Sequence, residues 1–176
     1  TSIQEAYILG RQQEFYGNTN MSHFYLEVRH NLSSQKIEEA IRKLIRRHSM
    51  LRSIFENSRR VVLGEDIADT FFLKTLEEKS LESHRKAANQ KVNEPDKWPL
   101  FEICNIKEGD SYIAAIDIDM LIVDGFSLSV LVRDFKSLCR GLELEPISDG
   151  FGKYLEAYSI RKSGNRYLQD KQYWLE

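Results

Sequence analysis

The spacing of apolar and polar residues along the chain predicts that helices and strands follow one another from the first residues. Apolar residues recur at helical intervals over residues 3–10, whereas apolar and polar residues alternate over residues 24–29. Gly17 and Asn18 interrupt the pattern between these segments and indicate a turn. We therefore expect a helix, a turn and a strand in that order.

The second predicted helix has the clearest pattern in the chain. Its apolar positions form one stripe over residues 37–48, and either Ser33 or Ser34 can cap it, because each hydroxyl can accept an unpaired backbone N–H. Weaker signals follow, namely two short β-prone runs and one charged, solvated helix, at residues 61–63, 70–73 and 76–92.

Two apolar runs open the second half of the chain. Residues 101–106 and 111–118 flank a Gly-Asp turn that begins at Gly109, which predicts two adjacent antiparallel strands. A short loop ending at Gly125 then leads into a helix, because apolar residues repeat at helical intervals over residues 128–139.

The remaining pattern completes the prediction of the fold class. Gly141 can end the preceding helix in the left-handed conformation, and residues 151–158 and 167–174 form two aromatic-rich helical segments. Strands interleaved with crossover helices are typical of an α/β sandwich.

Composition narrows the functional classes. The 176 residues are 41% hydrophobic and 30% charged, and a net charge of -2 offers no field that attracts nucleic acid. No apolar run approaches the roughly 20 residues that span a bilayer, and the first residues lack a signal-peptide pattern, so we expect a cytoplasmic protein with no membrane partner. Cys104 and Cys139 lack CxxC spacing and are expected to be reduced thiols. His23, His30 and His84 show no metal-ligand spacing.

Two carboxylates bracket an apolar run at residues 119–127, where the predicted strand gives way to a loop. Such loops often carry catalytic groups, and apolar neighbours can raise the pKa of a carboxyl towards a useful value. From the residues alone, Asp119 and Asp124 can be proton-transfer groups or structural anchors. Ser127 is expected to cap the next helix rather than act as a nucleophile, because no histidine lies nearby in sequence to activate it.

The segment DMLIVDGFS resembles the DxxxxDxxS signature of heterocyclization domains of nonribosomal peptide synthetases. Asp119 and Met120 stand where condensation domains carry the two histidines of HHxxxDG, and the Asp-Gly pair is retained. Three further stretches are similar to family motifs. They are TSIQEAYILGR at residues 1–11 (LTxxQxAYxxGR), RHSMLRSIF at 47–55 (RHxMLRxxF) and WPLFEI at 98–103 (W/HPLFEI).

The resemblance implies an α/β, two-layer sandwich like the N-terminal lobe of the chloramphenicol acetyltransferase fold. Residues 1–176 would form this one subdomain, with the C-terminal lobe absent and the active site in a tunnel between the lobes. Upstream and downstream peptidyl carrier proteins would deliver substrates on phosphopantetheine arms, next to an adenylation domain. The lobe itself would bind no cofactor.

The resemblance also implies a reaction. A carrier-bound acyl or peptidyl thioester is joined to carrier-bound cysteine, serine or threonine, and the product is cyclodehydrated to a thiazoline or oxazoline, often for a siderophore or an antibiotic. Loss of the histidine is compatible with the first step, because an α-amino group with a pKa near roughly 8 is substantially neutral at cellular pH. The lobe alone should be inactive, since a threonine and an aspartate implicated in cyclodehydration belong to the second lobe.

Roles for single residues follow from the same resemblance. Asp119 is expected to border the tunnel and assist proton transfer or substrate orientation, whereas Asp124 is expected to organise the loop by pairing with Arg47 or Arg52. Arg11 can line the tunnel, but a surface cation at a helix end explains it equally well. The remaining motif and tunnel residues are Gly125, Ser127, Met120 and Tyr7.

Two other functional classes stay open. A condensation-like domain without activity would be a docking platform for carrier proteins, although such a domain would tend to lose the carboxylates and the capped loop. A free-standing acyltransferase of the same superfamily would need a histidine at Met120. Arg52 and His48, near the end of the second helix, are expected to stabilise that helix locally through its dipole.

Overall fold

The computed structural model describes most of the chain and divides it into two compact units. The larger unit comprises residues 2–144, and the smaller one residues 145–176 together with Thr1. The turn expected at Gly17 and Asn18 lies outside the described residues. The described ranges are residues 1–11, 22–57, 59–77, 80–147 and 150–175.

The described part of the larger unit alternates helices and strands. Its helices are α1 (Ser2–Leu9), α2 (Ser34–Arg47), α3 (Leu81–Gln90) and α4 (Gly125–Cys139). Its strands are β1 (His23–His30), β2 (Ser53–Glu56), β3 (Arg59–Val62), β4 (Lys74–Leu76), β5 (Phe101–Glu108) and β6 (Ser111–Asp119). Short 3-10 helices occupy Ser49–Arg52 and Glu65–Thr70.

One mixed sheet organises the larger unit. Its strand order is β1-β6-β5-β4, with β4 parallel to β5 and the other neighbours antiparallel. The predicted hairpin is confirmed, with Phe101 opposite Ile118 and Glu108 opposite Ser111. Gly109 turns the chain at a φ of 58°, a conformation that glycine adopts without steric penalty. Strands β2 and β3 form a separate antiparallel pair.

Helices α2 and α4 enclose the main core against one face of this sheet. The predicted stripe of α2 is confirmed, and Ser33 rather than Ser34 caps the helix, because its hydroxyl accepts the N–H of Lys36 at 3.3 Å. An entirely apolar cavity remains between α2, α4 and the sheet. Fully buried members of this core are Ile37, Ile41, Ile45, Leu100 and Leu121.

The opposite face of the sheet carries a smaller apolar cluster. Cys104, Ile106, Ile113 and Ala115 are buried there, and Leu81 at the start of α3 packs against them. The arrangement is the expected α/β sandwich, in which α3 gives the second face a partial cover.

Two expectations for the middle of the chain need correction. No strand forms at residues 70–73, because side chains of α2 take the backbone groups that a sheet would need. Arg42 donates to the carbonyl of Phe71 at 3.1 and 2.9 Å, and Glu38 accepts the N–H of Leu73 at 2.8 Å. The charged helix expected at residues 76–92 is shorter, since α3 covers only Leu81–Gln90.

The end of α4 follows the prediction. Gly141 has a φ of 76°, and its N–H donates to the carbonyl of Leu138 at 2.9 Å, while the N–H of Leu142 donates to that of Ser137 at 3.1 Å. These two bonds define a Schellman cap, which satisfies carbonyls that the helix leaves unpaired.

The smaller unit consists of the two aromatic-rich helices that the pattern predicted, α5 (Phe151–Ser163) and α6 (Asn165–Leu175). Along α5 the rings of Phe151, Tyr154 and Tyr158 stack with centroids 5.7 and 6.0 Å apart. Across both units, none of the described helices has the length and apolarity that crossing a membrane requires.

Candidate functional site

The loop between β6 and α4 is tied to the ends of two neighbouring strands. The N–H of Met120 donates to the carbonyl of Ser22 at 2.9 Å, just before β1, and the N–H of Asp119 donates to the carbonyl of Leu100 at 3.1 Å, just before β5. The apolar run between the two aspartates points into the core, and its buried residues are Leu121, Ile122 and Val123. The loop is therefore fixed by hydrogen bonds and by hydrophobic burial together.

Asp119 is completely buried in an ion pair with Arg11. Its Oδ1 accepts from Nη2 of Arg11 at 2.5 Å and from the N–H of Leu121 at 2.9 Å, and its Oδ2 lies 3.4 Å from Nδ2 of Asn93. The side-chain exposures are 5% for Arg11 and 0% for Asp119. Interpreting Arg11 as a surface cation is therefore wrong, because it neutralises a buried carboxylate at the end of β6.

Helix α1 lies along the same loop. Gln4 donates to the carbonyl of Leu121 at 2.8 Å, and the hydroxyl of Tyr7 lies 3.9 Å from the sulfur of Met120. With Arg11, these contacts join the first residues of the chain to the DMLIVDGFS segment. The structure thus brings together three predicted site residues, Tyr7, Arg11 and Met120, around Asp119.

Asp124 is the N-cap of α4. Its Oδ1 accepts the N–H of Ser127 at 2.7 Å, and this bond holds the pKa of the Asp124 carboxyl below its usual value. The expectation that Ser127 is the cap is wrong, because Ser127 supplies the N–H that is capped. Gly125 is the first helical residue, and a Cβ added there would meet no atom within 4 Å.

The expected pairing of Asp124 with Arg47 or Arg52 is also wrong. Arg47 donates from Nε to Oδ2 of Asp134 at 3.0 Å, a buried carboxylate ten residues after Asp124 and within α4. Arg52 is buried and donates to the carbonyl of Ile45 at 3.2 Å in the last turn of α2. Arg52 thus stabilises the end of that helix, as the helix-dipole argument expects.

We expect Asp124→Ala to lower the free energy of unfolding by about 1 kcal/mol, because the helix loses the acceptor for its first-turn N–H. Urea unfolding followed by circular dichroism would measure the change. Ser129→Ala, on the exposed side of the next turn, is the matched control and should leave stability nearly unchanged. If Ser127→Ala cost more than Asp124→Ala, the assignment of Asp124 as the cap would be wrong.

A histidine and a third carboxylate lie beside Asp119, and the sequence analysis missed both. Nδ1 of His23, on β1, lies 2.5 Å from Oδ1 of Asp117, on β6, and the side chains are 17% and 4% exposed. His23 is the cross-strand partner of Asp119, so all three side chains share one face of the sheet. The available signal was the IDID sequence, which places two carboxylates at alternate positions of an otherwise apolar strand.

The cysteines take no part in this arrangement. Both are free, as expected, and both are buried. Burial raises the pKa of the Cys104 thiol to about 11, although its sulfur lies 3.6 Å from Nε2 of His84. A thiol with that pKa stays protonated at neutral pH and is a poor nucleophile. Within the described ranges no three histidine, cysteine or acidic side chains group as metal ligands do.

Comparison with known proteins assigns the chain to a family. The Condensation domain family matches residues 1–176, and the chain belongs to it. Bacitracin synthase 1 of Bacillus licheniformis is 30% identical over 187 aligned residues, which cover 100% of this chain and 4% of that protein. Pyochelin synthetase PchF of Pseudomonas aeruginosa is 25% identical, covering 99% of this chain and 10% of that protein.

A solved structure supports the same fold. The cyclization-docking bidomain of the synthetase EpoB from Sorangium cellulosum superposes with a TM-score of 0.88 at 23% identity, over 98% of this chain and 37% of that chain. The α/β, condensation-type fold expected from the sequence is thereby confirmed. The chain spans at most a tenth of the two curated relatives named above.

Proposed function

We propose that this chain is the N-terminal lobe of a heterocyclization domain in a nonribosomal peptide synthetase. The domain would join a carrier-bound acyl or peptidyl thioester to carrier-bound cysteine, serine or threonine. It would then cyclodehydrate the product to a thiazoline or oxazoline. Its partners would be a C-terminal lobe, the upstream and downstream peptidyl carrier proteins with their phosphopantetheine arms, and an adenylation domain.

The observation that carries this proposal is the occupancy of the two histidine positions. Asp119 replaces the first histidine and has its own buried partner, Arg11, while Met120 replaces the second and contacts Tyr7. A buried carboxylate is tolerated only where a cation neutralises it. The fold supplies that cation as Arg11, so it accommodates an aspartate at the first histidine position. The likeness to a solved cyclization domain supports the same proposal.

We propose that Asp119 orients the loop, and through the loop the substrate, rather than carrying protons. Its Oδ1 holds both Arg11 and the N–H of Leu121, and its side chain has no exposed surface. A proton-transfer group must reach the reacting atom within about 3 Å or through one water, which this burial opposes. Asp124 then sets the start of α4 and acts on catalysis through the position of the loop.

A second candidate is an inactive docking platform for carrier proteins. The observation in its favour is that both motif carboxylates already have structural partners, Arg11 for Asp119 and the N–H of Ser127 for Asp124. The two candidates differ in whether any bond forms between the carrier-bound substrates.

The test is a reconstituted assay with the complete domain and two loaded carrier proteins. Mass spectrometry of the acceptor arm distinguishes three results for a cysteine, serine or threonine acceptor. A heterocycle, lighter than the linear amide by one water, supports the proposal. The linear amide alone would reduce the function to condensation, and unmodified acceptor would favour the docking platform.

Within that assay, Asp124→Ala tests the role assigned to Asp124. We expect Asp124→Ala to slow ring formation only as far as it destabilises α4. An Asp124→Ala domain with an unchanged melting temperature and no product would contradict the capping role and indicate direct chemistry.

A further inference from the structure

We propose that His23, held by Asp117, is the proton acceptor of the amide-forming step in this domain. The proposal rests on the proposed function in one respect, that the domain joins an amine to a thioester. It does not depend on ring formation.

The geometry of the His23–Asp117 pair supports this role. Asp117 is buried and lies 2.5 Å from Nδ1 of His23, a contact that in a neutral ring favours the tautomer with its proton on Nδ1 and its lone pair on Nε2. Among the described residues Nε2 has no hydrogen-bond partner, and the side chain of His23 is 17% exposed. A buried carboxylate that orients a partly exposed imidazole is the arrangement that general-base histidines use in many enzymes.

His30, at the other end of β1, shows how a purely structural histidine differs. Its Nδ1 accepts the N–H of Leu32 at 3.2 Å, and its Nε2 lies 3.3 Å from Oδ1 of Asn105. Both ring nitrogens of His30 are thus engaged within the fold. His23 has one nitrogen engaged by a carboxylate and one left over.

The position of His23 supports the same role. Ser22, the residue before His23, accepts the N–H of Met120, so β1 and the motif loop meet at the same end of the sheet. His23 also lies directly opposite Asp119 in the strand register. The imidazole therefore stands next to the segment that marks the active site of the family, although 94 residues separate it from Asp117 in the sequence.

Elimination of the neighbouring groups supports it as well. Asp119 is fully buried and paired with Arg11, and Asp124 accepts a backbone N–H at the start of α4. The thioether of Met120 cannot act as a base. Among the described residues of the loop and its immediate strand neighbours, His23 is the group with a vacant basic nitrogen. It supplies the base that the loop itself lacks.

The proton balance of the step is complete without a further reactant. The acceptor amine attacks the thioester carbonyl, a C–N bond forms, and the nitrogen becomes positively charged. Nε2 of His23 takes the proton from that nitrogen. The C–S bond then breaks, and the imidazolium returns the proton to the departing phosphopantetheine thiolate.

The experiment compares two replacements of His23 in the complete domain with loaded carrier proteins. Asparagine keeps a donor near the position of Nδ1 and so retains the bond to Asp117, but it has no Nε2. Glutamine also lacks the imidazole ring, and its longer side chain places the amide further from the backbone. We expect His23→Asn and His23→Gln to slow amide formation about 100-fold at saturating carrier protein, with little change in KM. Asp117→Asn should give a comparable loss, because an amide donor favours the wrong tautomer of the ring.

His84→Asn is the control, since the ring of His84 contacts Tyr25 and Cys104 instead. It should retain the wild-type rate. A His23→Asn domain that forms amide at the wild-type rate would overturn the inference and leave His23 a structural residue. Absence of amide from the wild-type domain would instead contradict the proposed function.

A second measurement uses the 176-residue chain directly. Nitrogen-15 chemical shifts of the His23 ring at neutral pH should show the Nδ1–H tautomer. A ring found with a proton on Nε2, either as the Nε2–H tautomer or as the imidazolium, would overturn the inference independently of any activity, because Nε2 would then have no lone pair to offer.

Discussion

Replacing Asp119 by asparagine is expected to lower the free energy of unfolding of this chain by about 3–5 kcal/mol, because it leaves the buried guanidinium of Arg11 without a counter-charge. The side chains of Arg11 and Asp119 are only 5% and 0% exposed, so solvent cannot compensate the loss. Urea unfolding at neutral pH would measure it. Under the proposed function, the same variant should also lose ring formation in the complete domain.

A double-mutant cycle measures the interaction energy of the Arg11–Asp119 ion pair. Arg11→Met alone and Asp119→Leu alone should each be strongly destabilising, whereas the double variant should recover part of the loss, because neither charge remains buried. The exposed pair of Arg29 and Glu108, with Nε and Oε2 2.7 Å apart, is the control, and Arg29→Met should change stability little. Additive effects of Arg11→Met and Asp119→Leu would show that the ion pair is not the cause. Asp119→Asn with normal stability and no product would point to direct chemistry.

Asp134→Asn is expected to lower the free energy of unfolding by about 2–4 kcal/mol at neutral pH, because one buried carboxylate binds donors from α2, from the residue that ends α2 and from α4. Oδ2 of Asp134 lies 3.0 Å from Nε of Arg47 and 3.0 Å from Nε2 of His48, and Oδ1 accepts from Arg133. The side chain of Asp134 is 2% exposed. Urea unfolding would measure the loss, with Asp69→Asn, at a carboxylate 61% exposed, as the control that should change little.

The same cluster predicts how stability depends on pH. Burial alone would raise the pKa of Asp134, but hydrogen bonds from Arg47, Arg133 and His48 outweigh it and hold the pKa below the ordinary 3.8. A lowered carboxyl pKa gives stability that is present above the ordinary value and is lost as the pH falls below it. Burial also lowers the pKa of His48 below 6.5, so further stability is lost as the pH falls from that value. Both effects make the chain less stable in acid.

Unfolding at a series of pH values between 7 and 3 would test this account. The stability difference between the wild-type chain and Asp134→Asn should shrink below about pH 4, where the Asp134 carboxyl takes up a proton in the unfolded chain more readily than in the folded one. A difference that stayed constant down to pH 3 would show that the charge of Asp134 does not stabilise the cluster.

Local patterns in the sequence predicted most of the fold. The stripe of α2, the hairpin around Gly109 and the glycine that ends α4 depend on periodicity and backbone conformation, and the structure confirms them. The strand predicted at residues 70–73 does not form, because Arg42 and Glu38 of α2 bind the backbone groups of that segment. The β-propensity of a segment does not show that side chains of a distant helix will bind its backbone groups.

The candidate site was predicted less completely. The motif identified Asp119 and Asp124, but it could not show which cation neutralises a carboxylate. Arg47 pairs with Asp134, whereas Asp119 pairs with Arg11, which lies 108 residues away in the sequence. His23 and Asp117 meet only because β1 and β6 pair in one particular register. Partners of this kind depend on strand pairing, which the spacing of apolar residues does not encode.

The contact of α1 with the motif loop has a consequence for building hybrid condensation domains. Gln4, Tyr7 and Arg11 belong physically to the DMLIVDGFS segment, although more than a hundred residues of sequence stand between them. A fusion junction placed inside residues 1–11 would therefore exchange one side of an internal interface while leaving the sequence of the motif loop itself unchanged. Chimeras should take the opening helix and the motif loop from the same parent.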